Sequence, residues 1–530
     1  MPTLEWIGKD KVVNHHQEVP YRVLERQYSY DEAGQHAEDN GSENMIIHGD
    51  NLEALKALLP QYEGKVKCIY IDPPYNTGNE GWVYNDNVND PRIKKWLGEV
   101  VGKEGEDLTR HDKWLCMMYP RLKLLQKLLA EDGVVFISID DREQVSLRMI
   151  CNEIFGEHNF LAQFIWQKRT SPDMRKLVST AHEYICAYSK NIAFLTSAIN
   201  KVALSEEDAA NYKNPDNDPR GPWASSDFTA QGYRPNQMYE IVTPGGARYT
   251  PPEGRCWKNI ESEFIKQRDD GRIWFGADGM GIPRRKTYLS EREGKNVWTW
   301  WDNKSVGHTQ EATKEISKIF STPTAFDYPK PVRLVQRIIQ IATSKDSIIL
   351  DSFAGSGTTA HAVLNMNKAD GGNRKFILVE MMDYADSITA ERVRRVIRGY
   401  GEGKNAVDGT GGSFSYYELG PVLLLPDGNL NEEVGPQKIR EYVYYMETKE
   451  PLPAEQPKDE PYFMGLCRNT AYYFYYERES VTTLDHAFLA TIQTKAEGYT
   501  IYADLCAIPQ ETLRKHNITF KKIPRDIARL

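Results

Sequence analysis

The sequence lacks the features that mark exported, membrane-bound or metal-stabilised proteins. Its seven cysteines are scattered through 530 residues without a Cys-x-x-Cys pair, and none of its 11 histidines has metal-ligand spacing. This pattern argues against a disulfide framework and a metal site. No apolar run approaches the roughly 20 residues of a membrane span, and the start, MPTLEWIGKD, lacks the pattern of a signal peptide. We therefore expect a cytoplasmic protein with no membrane segment and no metal.

Acidic residues only slightly outnumber basic ones, with 75 Asp and Glu against 66 Lys and Arg. The net charge of −9 excludes a uniformly basic protein, but a local basic cleft can coexist with an acidic exterior. Hydrophobic residues make up 40% and charged residues 27%, which is typical of a globular protein. The chain is too long for one ordinary domain core, so we expect two to four structural units.

Apolar strands and amphipathic helices alternate in the first third of the chain. Residues 45–48 and VKCIYI (66–71) read as short buried strands, and VVFISIDD (134–141) as a third. Helical patterns follow the first strand and precede the third. This alternation predicts an α/β sheet with right-handed crossovers. The sequence DPPY (72–75) would then lie at the carboxyl end of a strand, where open α/β sheets bind ligands.

A second strand-and-turn site is predicted near residue 350. The strand Ser347–Leu350 runs into DSFAGSG, and Thr358 begins a helix. Glycines in such a turn let the backbone approach a ligand closely. The next strand, KFILVE, ends in Glu380, which is suitably placed to accept hydrogen bonds from ribose hydroxyls. FAGSG alone is more often a structural turn, but together with DPPY it indicates a nucleoside cofactor.

These residues resemble the S-adenosylmethionine-dependent DNA amino-methyltransferases. DPPY precedes FAGSG, which is the permuted order of the β class. NTGNEGWVYNDN, HDKWLCMMYPRL, GRIWFGADGMGIPRRK, FDYPKPVRL and GGSFSYYEL look like the modification (Mod) subunits of Type III restriction–modification systems. The resemblance implies a Rossmann-like methyltransferase sheet with an inserted target-recognition domain and a small α/β C-terminal domain. It also implies S-adenosylmethionine as the cofactor and no metal.

The resemblance assigns roles to individual residues. The implied cofactor residues are Asp50 in HGDN, at the adenine; Lys330 in FDYPKP, at the methionine end; and Phe353, Ala354, Gly355, Ser356 and Gly357. The implied catalytic residues are Asp72, Pro73, Pro74 and Tyr75. The carboxylate of the Asp and the carbonyl of the first Pro would accept hydrogen bonds from an exocyclic amino group, because the prolines fix φ and remove N–H donors. The tyrosine ring would stack on a base that has left the helix.

The predicted domains follow from these motifs. They are an N-terminal arm (1–44), a catalytic half (45–165), a target-recognition domain (166–320), a cofactor-binding half (321–415) and a C-terminal α/β domain (416–530). Candidate DNA contacts are Lys168, Arg169, Arg284 and Arg285, with Arg175, Lys176 and Lys286 beside them. Each can equally be a solvated surface residue. The loop 79–110 either covers the flipped base or is an ordinary surface loop.

The sequence thus predicts a sequence-specific methyltransferase that modifies N6 of adenine in double-stranded DNA. In the family that this chain resembles, Asp at the first position of the DPPY motif favours adenine, whereas Ser is commoner in enzymes that methylate cytosine N4. The resemblance further implies a homodimer and a restriction (Res) helicase–nuclease partner, and a solitary methyltransferase is the alternative. This chain has no G-x-x-x-x-G-K-[ST] loop, so we expect that it does not itself translocate along DNA or cleave it. A recognition subunit without catalysis, cytosine N4 methylation and RNA methylation remain the alternatives.

Overall fold

A computed structural model describes residues 3–76, 106–194, 199–322, 325–455 and 457–529. The chain divides into two compact units, Met1–Asn200 with Trp298–Leu530, and Lys201–Val297. The predicted loop at 79–110 lies almost wholly outside the described residues. No helix in the described ranges is long and apolar enough to cross a membrane.

The larger unit is built on one mixed sheet. Its strands are β1 (Arg22–Asp31), β2 (Gly34–His36), β3 (Met45–His48), β4 (Val66–Ile71), β5 (Leu129–Ile139), β6 (Phe160–Gln167), β7 (His182–Ser189), β8 (Trp300–Trp301), β9 (Ile348–Asp351), β10 (Lys375–Glu380) and β11 (Phe414–Val422). They lie in the order β8-β6-β7-β5-β4-β9-β10-β3-β11-β1-β2. The predicted α/β class is confirmed.

The centre of the sheet is parallel. Strands β5, β4, β9, β10, β3 and β11 run in one direction, and the flanking strands β7 and β1 pair antiparallel with its edges. The central strands carry apolar side chains on both faces, as burial between two helical layers requires. Their carboxyl ends therefore meet at one edge of the sheet.

Helices flank this sheet and join its strands. In the larger unit they span Lys9–Val12, His15–Glu18, Asn51–Tyr62, Glu106–Leu128, Gln144–Phe155, Asn303–Val306, Thr309–Phe320, Val332–Ala342, Thr358–Asp370, Glu391–Arg398, Pro436–Thr448, His486–Leu489 and Gln510–Lys515. Ala385–Ala390 is a π-helix. The helix Val332–Ala342 buries seven apolar residues of its eleven, which explains its strict apolar periodicity.

The first 44 residues are not an arm, contrary to the prediction. Strand β1 pairs antiparallel with β11, and β2 pairs with β1, so the segment extends the edge of the large sheet. Val23, Tyr28 and Tyr30 of β1 are buried. The polar composition of residues 31–44 obscured this role, because an edge strand needs apolar residues on one face only.

The C-terminal region does contain a small α/β layer, but its predicted start at 416 is wrong because β11 belongs to the large sheet. A four-stranded sheet follows, formed by Phe463–Cys467, Thr470–Phe474, Gly498–Ala503 and Ile518–Lys522. Thr483–Leu484 pairs with Leu505–Cys506 in the same region. A further short pair, Gly399–Tyr400 with Val407–Asp408, precedes β11 in the chain. The C-terminal layer groups with the large sheet in one compact unit.

The smaller unit is narrower than the predicted 166–320 domain. Strands β6, β7 and β8 and the helices of 303–320 pack with the large sheet instead. The smaller unit consists of short strands, Trp223–Asp227, Thr229–Gln231, Ile241–Val242, Arg248–Tyr249, Arg255–Trp257, Ile273–Trp274 and Arg284–Tyr288, and the helices Glu206–Ala210 and Glu261–Asp269. Aromatic residues, including Phe228, Trp257 and Phe264, form its core.

Candidate active site

The site lies where the winding of the sheet reverses. The chain leaves β4 for β5 on one side and leaves β9 for β10 on the other, while β4 and β9 are paired neighbours. The turns after such strands splay apart and open a crevice. A cavity of about 680 Å³ lies here and is lined by both the DPPY turn and the glycine turn. Its volume falls within the roughly 300–1,000 Å³ of small-molecule sites.

The DPPY turn is held from behind by the long helix Glu106–Leu128. Trp114 of this helix is fully buried, and its Nε1 donates to the Pro74 carbonyl at 2.7 Å. Asn76 closes the turn with φ of 59°, a left-handed conformation that Asn tolerates better than most residues. Its amide donates to the buried Glu143 carboxylate at 2.5 Å. Trp114 is therefore a core residue that also supports the site.

The Asp72 carboxylate is held on both sides. Its Oδ2 accepts from the Lys330 ammonium at 2.5 Å, and its Oδ1 accepts from the Tyr75 hydroxyl at 2.7 Å. The Lys330 Nζ also lies 5.1 Å from the centroid of the Tyr75 ring, a cation–π distance. Asp72, Tyr75 and Lys330 therefore form one polar cluster, although Lys330 lies 258 positions from Asp72 in the chain.

Glu183, at the start of β7, completes this group. Its Oε1 accepts from Lys168 at 2.8 Å, and its Oε2 lies 3.2 Å from the Tyr75 hydroxyl and 3.6 Å from the Lys330 Nζ. The side chains of Glu183 and Lys330 are each 10% exposed. Two carboxylates and two ammonium groups thus face one another at the wall of the cavity.

These charges stabilise one another despite burial. Burial alone would lower the pKa of Lys330, but Asp72 and Glu183 outweigh it and raise that pKa above its ordinary value. Burial would raise the pKa of Glu183, but Lys330 and Lys168 lower it. Burial and the neighbouring carboxylates raise the pKa of Tyr75 well above its usual range. At neutral pH Lys330 is therefore charged and the Tyr75 hydroxyl is a neutral donor.

The glycine turn contributes the opposite wall. Gly355 and Gly357 have φ of 52° and 79°, so the turn needs residues that adopt left-handed backbone conformations without strain. A side chain at Gly357 would meet the Thr389 carbonyl at 3.0 Å. The helix Thr358–Asp370 starts immediately after the turn. Its N-terminus therefore directs its positive dipole end toward this wall.

A buried arginine supports the glycine turn from within the protein. Arg392 donates to the Ser356 Oγ at 2.8 Å and to the Thr358 Oγ1 at 2.9 Å. The same guanidinium lies 3.2 Å from the ring of buried His361 and 3.7 Å from the Glu315 carboxylate. These contacts join the turn to three helices, Thr309–Phe320, Thr358–Asp370 and Glu391–Arg398.

Asp351, which ends β9, has an unusual titration. Its carboxylate accepts from the Phe353 N–H at 3.0 Å and from the Thr359 hydroxyl at 2.6 Å. Burial raises its pKa to about 7 despite these hydrogen bonds, and the charges of Asp72 and Glu380 add to the effect. The Asp351 carboxyl group in the cavity wall therefore changes charge near neutral pH.

Two predicted cofactor residues are engaged in local structure. Glu380 is buried, and its oxygens accept from the Gly355 N–H at 2.8 Å and the Met382 N–H at 3.0 Å. Asp50 caps the helix Asn51–Tyr62 by accepting from the Leu52 and Glu53 N–H groups. Neither side chain is among those that line the cavity. The Gly49 N–H nevertheless donates to the Glu380 carbonyl at 3.0 Å, so both residues lie at the same sheet edge.

The other predicted residues separate into two groups. Those that line the cavity are Asp72, Pro73, Pro74, Tyr75, Lys168, Arg169, Lys330, Phe353, Ala354, Gly355 and Ser356. Arg284 and Arg285 lie in the smaller unit, exposed on the strand Arg284–Tyr288. Their neighbour Lys286 is not a surface cation, because it is buried and paired with Asp216 and Asp218. The sequence pattern of three adjacent cations concealed this difference.

The sequence pattern missed Glu183 and assigned Lys168 a different role. Both residues flank the loop between β6 and β7, far from either motif in the chain. A signal that could have found Glu183 is the acid of HEY (182–184) just before the apolar run ICAY, since a carboxylate at a strand end can face the crevice of an open α/β sheet.

An open α/β sheet with a glycine turn, an acidic turn and one cavity at its switch point is the architecture of a Rossmann-like methyltransferase domain. Residues 66–391, well over half of the chain, match the model of the DNA methylase family. The chain belongs to that family, as its motifs predicted.

Individual proteins are also similar to this chain. The Mod subunit of the Type III restriction–modification enzyme StyLTI of Salmonella typhimurium is 36% identical over 426 residues, which cover 74% of this chain and 62% of that subunit. The Type II methyltransferase M.KpnI of Klebsiella pneumoniae is 32% identical over 357 residues, covering 64% of this chain and 81% of that enzyme. The solved structure of the PvuII DNA methyltransferase (cytosine-N4-specific) is 14% identical to this chain. The match covers 66% of this chain and 86% of that chain, with a TM-score of 0.33.

Proposed function

We propose that this protein transfers a methyl group from S-adenosylmethionine to N6 of an adenine flipped out of a specific double-stranded DNA sequence. The observation that carries this proposal is the meeting of Asp72–Tyr75 and Phe353–Ser356 in one cavity at the sheet's switch point. A base-binding turn and a cofactor-binding turn must face each other for direct transfer, because the reacting atoms have to come within about 3–3.5 Å.

The cavity fits the proposed cofactor. The turn Phe353–Gly357 can approach a ligand closely through its glycines, and Lys330 offers an ammonium group to a carboxylate. The family resemblance adds Glu380 at the ribose and Asp50 at the adenine, although neither side chain lines this cavity. When bound, S-adenosylmethionine supplies an electrophilic methyl group on a positively charged sulfur.

On the base side, Asp72 acts as an oriented acceptor. Lys330 and Tyr75 each hold one of its oxygens, so the carboxylate is fixed before the base arrives. Each carboxylate oxygen has a second lone pair for the amino group of the base. Together with the Pro73 carbonyl, Asp72 would draw the nitrogen lone pair out of conjugation and direct it toward the methyl group. The proton lost by the nitrogen would pass to an oxygen of Asp72.

We extend the proposal to the role of a modification subunit in a Type III-like restriction–modification system. The StyLTI relative has this role by name, and the chain spans 62% of its length. A homodimer, a Res helicase–nuclease partner and a cytoplasmic location belong to the same proposal. The smaller unit, residues 201–297, would read the target sequence, with Arg284 and Arg285 on the DNA backbone.

Single-molecule sequencing of genomic DNA tests the proposal directly. The chain is expressed in a host free of DNA methylation, beside an Asp72→Ala variant and the exposed control Asp10→Ala. We expect N6-methyladenine in one short motif with the wild type and the control, and none with Asp72→Ala. If N4-methylcytosine is found instead, the target base is cytosine and not adenine. The absence of any modified base, from folded protein that binds S-adenosylmethionine, would refute the proposed activity.

A further inference from the structure

The loop between β6 and β7 carries the most exposed large apolar side chains of the described residues. Met174, Leu177 and Val178 are 91%, 107% and 85% exposed. Burying such a side chain is worth roughly 1.5–3 kcal/mol, so three that project into water together indicate a surface made for contact. We call residues 172–178 the β6–β7 tip.

The base of this loop lies at the rim of the cavity. The N–H groups of Lys168 and Arg169 donate to the Ala181 carbonyl at 2.9 and 3.3 Å, which closes the loop. The side chains of Lys168 and Arg169 line the cavity, and Glu183 follows on the other arm. The loop therefore rises directly from the wall that holds Asp72.

The tip is ordered by its own polar contacts. The Asp173 N–H donates to the Ser179 hydroxyl at 2.8 Å, and the Lys176 N–H donates to the Asp173 carbonyl at 3.0 Å. The Arg175 guanidinium makes two hydrogen bonds to the Asp173 carboxylate, at 3.0 and 3.1 Å. These bonds turn the backbone so that the apolar side chains project outward in a defined arrangement.

Charge identifies the partner. Arg169, Arg175 and Lys176 flank the apolar residues, and Asp173 is the loop's single acid. A cationic loop with an apolar tip suits duplex DNA, since proteins insert side chains such as Leu and Met between base steps while Arg and Lys bind phosphates. A protein partner would instead need an apolar pocket surrounded by acidic residues, which is a more restrictive requirement than the phosphates of any duplex.

We propose that Met174, Leu177 and Val178 form a wedge that enters the DNA duplex beside the target base pair and holds the target base out of the stack. The inference rests on the proposed function, because a flipped base must leave a gap next to the cavity. Extruding a base costs a few kcal/mol, and the wedge offsets this cost by restoring contacts inside the duplex. Arg175 and Lys176 bind the adjacent phosphates.

The test combines Met174→Ser, Leu177→Ser and Val178→Ser in one variant. These side chains are exposed, so the thermal midpoint should stay within about 2 °C of wild type. Methyl transfer is measured on a duplex that contains the motif found by sequencing, and on the same duplex with an abasic site opposite the target. The matched control is Val481→Ser, which removes an equally simple apolar side chain that is 71% exposed.

We expect kcat/KM of the triple variant to fall about 10- to 100-fold on the paired duplex, as loss of 1.4–2.8 kcal/mol requires. The loss should shrink to within about threefold on the abasic duplex, where the target base is already unpaired. Fluorescence of 2-aminopurine at the target position should fall in parallel on the paired duplex. Lys176→Ala, which leaves the hydrogen bonds of Asp173 in place, should instead weaken binding to both duplexes and reduce the salt slope by about one.

Two results would overturn the wedge while leaving the proposed function intact. The first is a triple variant that methylates the paired duplex at the wild-type rate. If that variant also has a changed oligomeric state, the tip is a contact between copies of the chain. An equal loss on both duplexes would make the tip a binding surface without a role in flipping. If the wild type methylates no DNA, the proposed function fails, and the wedge fails with it.

Discussion

Replacing Tyr75 by Phe separates two roles of this residue, the ring and the hydroxyl. The sequence motif predicts a ring that stacks on the target base, and Phe retains that ring. The structure adds a hydroxyl that donates to Asp72 at 2.7 Å and lies 3.2 Å from Glu183. A hydrogen bond to a charged group contributes about 1.5–3 kcal/mol. If the transition state needs the full bond, kcat should fall about 10- to 150-fold.

The assay is single-turnover transfer of labelled methyl groups to DNA, with the cofactor dissociation constant measured separately. We expect a lower transfer rate and a cofactor dissociation constant within about twofold of wild type, because the hydroxyl faces the base-binding carboxylate. Tyr188→Phe is the matched control, since it removes a hydroxyl bonded to Asn152 at 2.6 Å elsewhere in the same unit. A transfer rate for Tyr75→Phe within twofold of wild type would show that the hydroxyl does not orient Asp72.

Three further substitutions test the charged walls of the cavity. Glu183→Gln leaves Lys168 and Lys330 with one carboxylate fewer, and breaking a buried ion pair costs about 3–5 kcal/mol. The free energy of unfolding in urea should fall by most of this amount, and a fall of less than about 1 kcal/mol would contradict the pairing. Asp351→Asn removes a carboxyl group whose pKa is raised to about 7. The folded wild type keeps that proton while the unfolded chain releases it, so wild-type stability relative to the variant should fall as pH rises from about 4 to 7; a difference in thermal midpoint that is independent of pH would exclude this titration. Glu380→Ala removes the acceptor of the Gly355 N–H and should weaken cofactor binding about tenfold by calorimetry, equivalent to about 1.4 kcal/mol; an unchanged dissociation constant would remove Glu380 from the cofactor site.

The amino-acid sequence by itself determined the central strands, both motif turns and the family. Short apolar runs such as 66–71 and 375–380 are buried on both faces, so composition alone marks them as central strands. The glycines of 355 and 357 and the prolines of 73 and 74 restrict the backbone locally. Local restrictions of this kind are visible in the sequence because they act between neighbouring residues.

Only the tertiary structure decided which charges meet. Lys330 reaches Asp72 across 258 positions, and Glu183 reaches Tyr75 across 108. Lys168 resembles a surface cation in the sequence, yet it is paired in the cavity wall. These partners are brought together by the order of strands in the sheet, which follows from the packing of all helices and strands at once. No periodicity or spacing along the chain encodes such a meeting, because side-chain contacts between distant segments depend on the sheet order that brings those segments side by side.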